Sequence, residues 1–412
     1  MKKLSIFFCI LFIQLSAFTQ ERTLDYYIDA GIENSPLLKD LKNQQRSNLI
    51  DSMRILAGYL PQVNAMSTNS YAPTIGGWGY DGAITNGSNF SQLVTVSKQL
   101  VSKENLKNQH EAIQLLNESL KTSGKITEQD LRKTIIAQYI SAYGNYQQYQ
   151  FNKDVLQLFK KEQNILKSLT EKGIYRQTDY LSFLVTMQQQ EIVITQLKNN
   201  FQSDFSALNY LCGINDTVAI PLKKPTIVLS ILPDAENSVF YQQFLNDSLK
   251  LRNSDALIEY KYKPKVNLYG DGGYLTSFSS EAYKNFGFSV GVNIVVPIYD
   301  GKQKKMQHDK IGIAEQSRQQ YRDYFKTQYS QQIAQLFQQL HAAEQLVQQS
   351  SNQIKYAETL IEANQKLLET GDAHMADYIL AIGNYMNAKN TITLNSINQL
   401  QIINQINYWN RK

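Results

Sequence analysis

Cysteine is nearly absent from this chain. Of its 412 residues two are cysteine, Cys9 and Cys212, too few for a disulfide framework or a thiolate zinc site. Four scattered histidines leave little for metal chemistry, and eight prolines exclude a Pro-rich linker protein. Charge is sparse as well, at 19% of residues, against about 25% in ordinary soluble domains. Setting Lys2 and Lys3 aside leaves 39 basic residues against 36 acidic ones, which is no nucleic-acid footprint. Beyond the N-terminus no run of about 18 uninterrupted apolar residues occurs, so no transmembrane helix is expected. GxSxG, HExxH and P-loop patterns are missing, and no constellation supports an enzyme, a cofactor or a metal. Gly270-Asp271-Gly272-Gly273 lies inside a strand pattern, where small residues mark close backbone approach rather than a phosphate cradle.

Amides fill the space that charge leaves. Asn and Gln number 76, and there are 26 Tyr. The N-terminus has Lys2 and Lys3, an apolar run from Leu4 to about Leu15, then Ser16-Ala17-Phe18-Thr19. This is the layout of a secretory signal peptide over residues 1–19, with a buried N-terminal helix as the alternative. A secreted chain with no helical span is soluble or crosses a membrane as a β-barrel.

Strand patterns bear on that choice. From Phe286 to Ile298, Phe286, Phe288, Val290, Val292, Ile294, Val296 and Ile298 fall on one face, with Gly287, Ser289, Gly291 and Asn293 on the other. Period two over this length predicts a strand. Val266 to Phe278 places Val266, Leu268, Tyr274 and Phe278 opposite Asn267, Asp271 and Ser277. An earlier hairpin spans 61–100, with Val63, Ala65 and Tyr71, then Phe90, Val94, Val96 and Leu100, on its apolar face. Such strands fit a membrane barrel or a half-buried soluble sheet. Four strands cannot close a barrel with a polar lumen, because the smallest membrane barrels need about eight. Membrane insertion therefore requires several chains.

The remainder is helix. Ile333, Leu336, Leu340, Ala343, Val347, Ser350, Ile354, Ala357, Ile361, Asn364 and Leu368 recur at spacings of three and four, the seam of a coiled coil. A break is expected at Gly371, and a second helix carries Ile379, Ile382, Met386, Ile397, Leu400, Ile403 and Ile406. The first half repeats the scheme, with helix from about Lys103 to Lys172, a break at Gly173, and helix again to about Leu211. Pro61-Gln62-Val63-Asn64 matches Pro264-Lys265-Val266-Asn267, Ser102 matches Asp300, Gly173 with Asp179 matches Gly371 with Asp377, and His110 matches His308. Two repeats, 20–214 and 238–412, are expected around a linker at 215–237. The paired histidines are read as equivalent structural positions rather than metal ligands.

Taken in order, Asn34-Ser35-Pro36-Leu37, Leu60-Pro61-Gln62-Val63, Pro264-Lys265-Val266 and Val296-Pro297-Ile298-Tyr299-Asp300-Gly301, with the turns Gly173 to Leu181 and Gly371 to Leu380, resemble the outer-membrane efflux protein family, the TolC family. The resemblance implies a mainly α chain forming a long antiparallel coiled-coil α-barrel. Four strands per chain would join in a trimeric 12-stranded outer-membrane β-barrel, with Phe286, Phe288, Val290, Val292, Ile294 and Val296 on the lipid face. It implies a passive channel working with a periplasmic adaptor and an inner-membrane transporter. Asp377 would line the periplasmic entrance, with Asp179, Arg176 and Tyr175 near the gate. Gly173, Gly371, Asp372 and His374 would lie in the turns the adaptor grips. This chain has Leu380 where some members carry a second acidic residue, so a single carboxylate ring is expected. The competing reading is a secreted trimeric coiled-coil structural or adhesive protein.

Overall fold

The computed structural model describes residues 22–81, 88–230, 234–277, 283–372 and 374–409. The expected signal peptide, Phe278, Pro233 and Ala373 lie outside them. The elements run α1 (Leu24–Asn34), α2 (Pro36–Gly58), β1 (Gln62–Tyr71), β2 (Ser88–Leu100), α3 (Lys103–Glu171), α4 (Gln177–Cys212), α5 (Val239–Lys261), β3 (Lys265–Thr276), β4 (Phe286–Val295), α6 (Gln303–Thr370) and α7 (Met375–Trp409). The order helix, strand, strand, long helix, helix thus occurs twice. No described helix is long and apolar enough to cross a membrane.

The chain divides into two compact units, each taking elements from both halves. The first holds the described residues of Met1–Pro36, Thr127–Pro233 and Ser330–Lys412. Its core gathers Tyr27, Ile135, Tyr139, Ile140, Phe205 and Leu208 from α1, α3 and α4. The segment after Cys212 joins it, because Leu222 is buried and the Tyr139 hydroxyl donates to the Lys223 carbonyl at 2.9 Å. The predicted seam of α6 is the face that is buried. Leu336, Leu340, Ala343, Ser350, Ala357, Asn364 and Leu368 are buried and the intervening seam residues half-buried, as a 3.5-residue repeat requires.

The second unit spans Leu37–Ile126 and Asp234–Tyr329. Its four strands form one antiparallel sheet in the order β1-β2-β3-β4. Strand β4 ends at Val295, not at Ile298. Lys265, the first residue of β3, pairs with Val295, and Pro297 has no N–H to extend the ladder. Beside the sheet, polar groups join the helices. Asn48 donates to Asn117, Asn253 to the Asn108 carbonyl and Asn246 to Thr122. Asn48, Ser52, Thr122 and Asn253 are all buried, and pairing is what makes such burial tolerable.

Candidate functional site: two helical turns and a two-faced sheet

Both helical turns of the first unit are built alike. Gly173 and Gly371 adopt φ of 75° and 83°, which glycine reaches without steric cost. In one, Gly173 N donates to Thr170 O and Ile174 N to Leu169 O. In the other, Gly371 N donates to Leu368 O and Asp372 N to Leu367 O. These are Schellman closures, which satisfy the last carbonyls of a helix. The turns touch, since a Cβ on Gly371 would lie 2.9 Å from Ile174 Cγ2.

Around them the predicted gate residues separate by environment. Tyr175 is buried and donates its hydroxyl to the Leu368 carbonyl at 3.2 Å, tying the start of α4 to the end of α6. Burial raises its pKa, with Asp372 and Asp179 adding to the effect. Arg176 is exposed and occupies the N-cap of α4 without a side-chain capping bond. Asp179 is half-buried beside a groove of about 380 Å³ that Ser182, Met375, Ala376, Ile379 and Leu380 also line. Asp377 stands exposed in the first turn of α7, and Asp372 and His374 are exposed too.

Under the turns lies a core of Val155, Phe159, Leu166, Phe183, Leu368, Met375, Tyr378 and Ile382. It holds a carboxylate that sequence reasoning missed. Glu162 is 3% exposed and accepts from Gln365 Nε2 at 2.9 Å. Burial raises its pKa; Lys161 opposes this, Glu369 adds to it, and the Tyr378 hydroxyl lowers it. Tyr378 is fully buried, with its hydroxyl near this carboxylate but without a hydrogen bond of ordinary geometry. Met375, Tyr378 and Ile382 have the three-and-four spacing that could have marked Tyr378 as core. Nothing in the pattern marked Glu162.

In the second unit the sheet register aligns the two faces. Val63, Val96, Gly270 and Val290 form one cross-strand row, and Ala65, Val94, Gly272 and Phe288 the next. On the other face Asn64, Thr95, Asp271 and Ser289 stand in a row. Among the described residues nothing covers the apolar face, with Phe288 87% and Val290 81% exposed. Phe286, Val292 and Ile294 share that face and are exposed to a lesser degree, while Val296 is exposed just beyond the strand. Gly273 has φ of 155°, and a Cβ there would overlap the Gln92 carbonyl. That accounts for the glycine-rich run as close strand packing.

Where strands give way to helices, the two halves differ chemically. The Ser102 hydroxyl accepts from Asn105 N at 3.2 Å. Its counterpart Asp300 accepts from Lys302 N at 2.9 Å and Lys304 N at 2.6 Å, which holds its carboxyl below the usual range. His110 meets Ser52 at 2.7 Å. His308 meets Asp255 at 2.6 Å and Glu259 at 3.1 Å, and Glu259 also binds Lys304. Asp255 is the main cause of a raised His308 pKa, against the opposing effect of burial.

No sequence-family model matches the chain, and no curated protein does. Solved structures match over nearly its whole length. The outer membrane protein VceC from Vibrio cholerae is similar at a TM-score of 0.75 and 13% identity, over 94% of this chain and 96% of its own. CusC, whose structures concern transmembrane channel formation, is similar at 0.77 and 12%, over 95% and 93%. The Campylobacter jejuni outer membrane channel CmeC gives 0.74 and 13%, over 95% and 86%. The chain therefore has the fold of these outer-membrane channel proteins.

Proposed function

We propose that this chain is one protomer of a trimeric outer-membrane channel of the TolC family, serving as the passive exit duct of a tripartite efflux or type I secretion system. One observation carries the reading. A four-stranded sheet has an apolar face that nothing among the described residues covers, a polar opposite face, and, among the described strands, a free edge at each of β1 and β4. Water on the apolar face and unpaired edges are both unfavourable, and a barrel closed from several chains in lipid removes both at once. The likeness in fold to outer-membrane channels supports the same conclusion. In this reading the helices extend into the periplasm, and the turns at Gly173 and Gly371 meet an adaptor that links the duct to an inner-membrane transporter. Asp377, three copies around the axis, supplies a single carboxylate ring at the entrance.

The test is planar-bilayer recording on protein purified in detergent, with subunit stoichiometry measured on the same preparation. A trimer with a small cation-preferring conductance that loses its preference in Asp377→Ala supports both the duct and the ring. A conductance indifferent to that substitution removes the ring and keeps the duct. Protein that stays soluble without detergent and forms no channel belongs to the secreted coiled-coil class instead.

A further inference from the structure

We propose that Asp271 is a second determinant of ion preference, placing one carboxylate per chain on the water-facing side of the strand barrel; this rests on the channel reading above. Asp271 is the only acidic residue in the four strands, whose other charged residues are Lys98 and Lys265. Lys98 pairs with Leu268 on the apolar face. Lys265 is the first residue of β3, six residues and so roughly 20 Å along the strand from Asp271. No cation in the strands stands beside the carboxylate to neutralise it.

Across from Asp271, Thr95 and Leu93 of β2 share the polar face, whereas toward β4 its neighbours are small. The next cross-strand pair on one side is Gly273 with Gly287, and on the other Tyr269 with Gly291. The Tyr269 ring folds over Gly291, where an added Cβ would lie 2.5 Å from its Cζ and Oη. The Ser289 hydroxyl lies 2.9 Å from both carboxylate oxygens and donates its single proton there. An ionised carboxylate has about four acceptor sites, so most remain for water or a passing cation. On the lipid side a charge near mid-membrane is costly. On the polar face the carboxylate stays hydrated, and three copies around one lumen attract cations.

The experiment is single-channel reversal potential in a KCl gradient, with wild type, Asp271→Asn and Asn64→Asp compared in the same lipid. Asp271→Asn should lower the potassium-over-chloride permeability ratio by about five-fold at 0.1 M salt, with most of the difference lost at 1 M, where the Debye length is about 3 Å. Asn64→Asp adds a carboxylate to the same cross-strand row and should raise the ratio. It decides the matter if Asp271→Asn fails to assemble. Unchanged ratios in channels that form normally overturn the role of Asp271 and leave the channel standing. A wild-type protein that forms no channel overturns the channel reading itself.

Discussion

Twice in this molecule the second half carries aspartate where the first carries serine. Ser102 and Asp300 cap the long helices, and Ser52 and Asp255 face the paired histidines. The backbone solution is shared while the chemistry is not. A hydroxyl satisfies the same orphan N–H or imidazole without a net charge, so at these two places the first half makes its bonds without a carboxylate. The second adds charge-assisted ones, which are shorter and stronger but depend on protonation. A matching difference appears under the turns, where Phe183 and Ala381 stand at corresponding places, both fully buried. The shared core there draws on both halves, and at this pair the first half supplies the larger side chain.

The packing difference gives the largest expected effect. Phe183→Ala removes a ring set edge-on against Phe159 at 5.6 Å and should cost about 3–5 kcal/mol, read as loss of amide protection in α4 and α7 near the turns. Ala381→Gly should cost about 1 kcal/mol. Equal losses from the two would abolish the asymmetry.

The turns come next. Alanine at either glycine must hold a positive φ, at about 1 kcal/mol or more. Gly371→Ala must also displace Ile174, whereas a Cβ on Gly173 meets nothing within 4 Å. Thermal denaturation in detergent should therefore show a larger drop for Gly371→Ala than for Gly173→Ala. The reverse order would mean that the two turns do not pack on each other.

Glu162 sharpens the comparison from inside the core. Its folded pKa is raised, so any stability it contributes is full below its unfolded value, about 4.3, and is lost as pH rises through the folded one. At neutral pH Glu162→Gln should raise protection at the turns while keeping a partner for Gln365, with the gain shrinking as pH falls. Destabilisation at neutral pH would refute this.

The smallest effect is at the clasp. The raised His308 pKa makes its contribution full below about 6.5 and lost as pH rises through the higher folded value. Exchange protection at the start of α6 should weaken with rising pH, and Asp255→Ser, which imitates Ser52, should flatten that dependence. A pH dependence that survives the substitution assigns the effect elsewhere.

Much of the fold was legible because its elements are long and periodic. Each seam residue from Ile333 to Leu368 is buried or half-buried, and both glycine turns fall where the pattern broke. Strand faces were legible for the same reason, down to Val290 opposite Ser289. The end of β4 was overrun by three residues, because alternation continues past the last residue with a ladder partner. Of the expected gate residues, Tyr175 and Asp179 are drawn into the packing while Arg176 and Asp377 remain exposed. Periodicity does not distinguish these, since all four follow a helix break.

The sequence by itself determined which residues are helical, where the helices turn, and which strand face is apolar, because these depend on neighbours three, four or two positions away. Only the tertiary structure decided that Glu162 is enclosed with Gln365 and Tyr378, that Asp255 and Glu259 hold His308, and that Asp271 stands over Ser289 among glycines. Those contacts join residues tens to hundreds of positions apart, and no local pattern encodes which distant partner will be brought near.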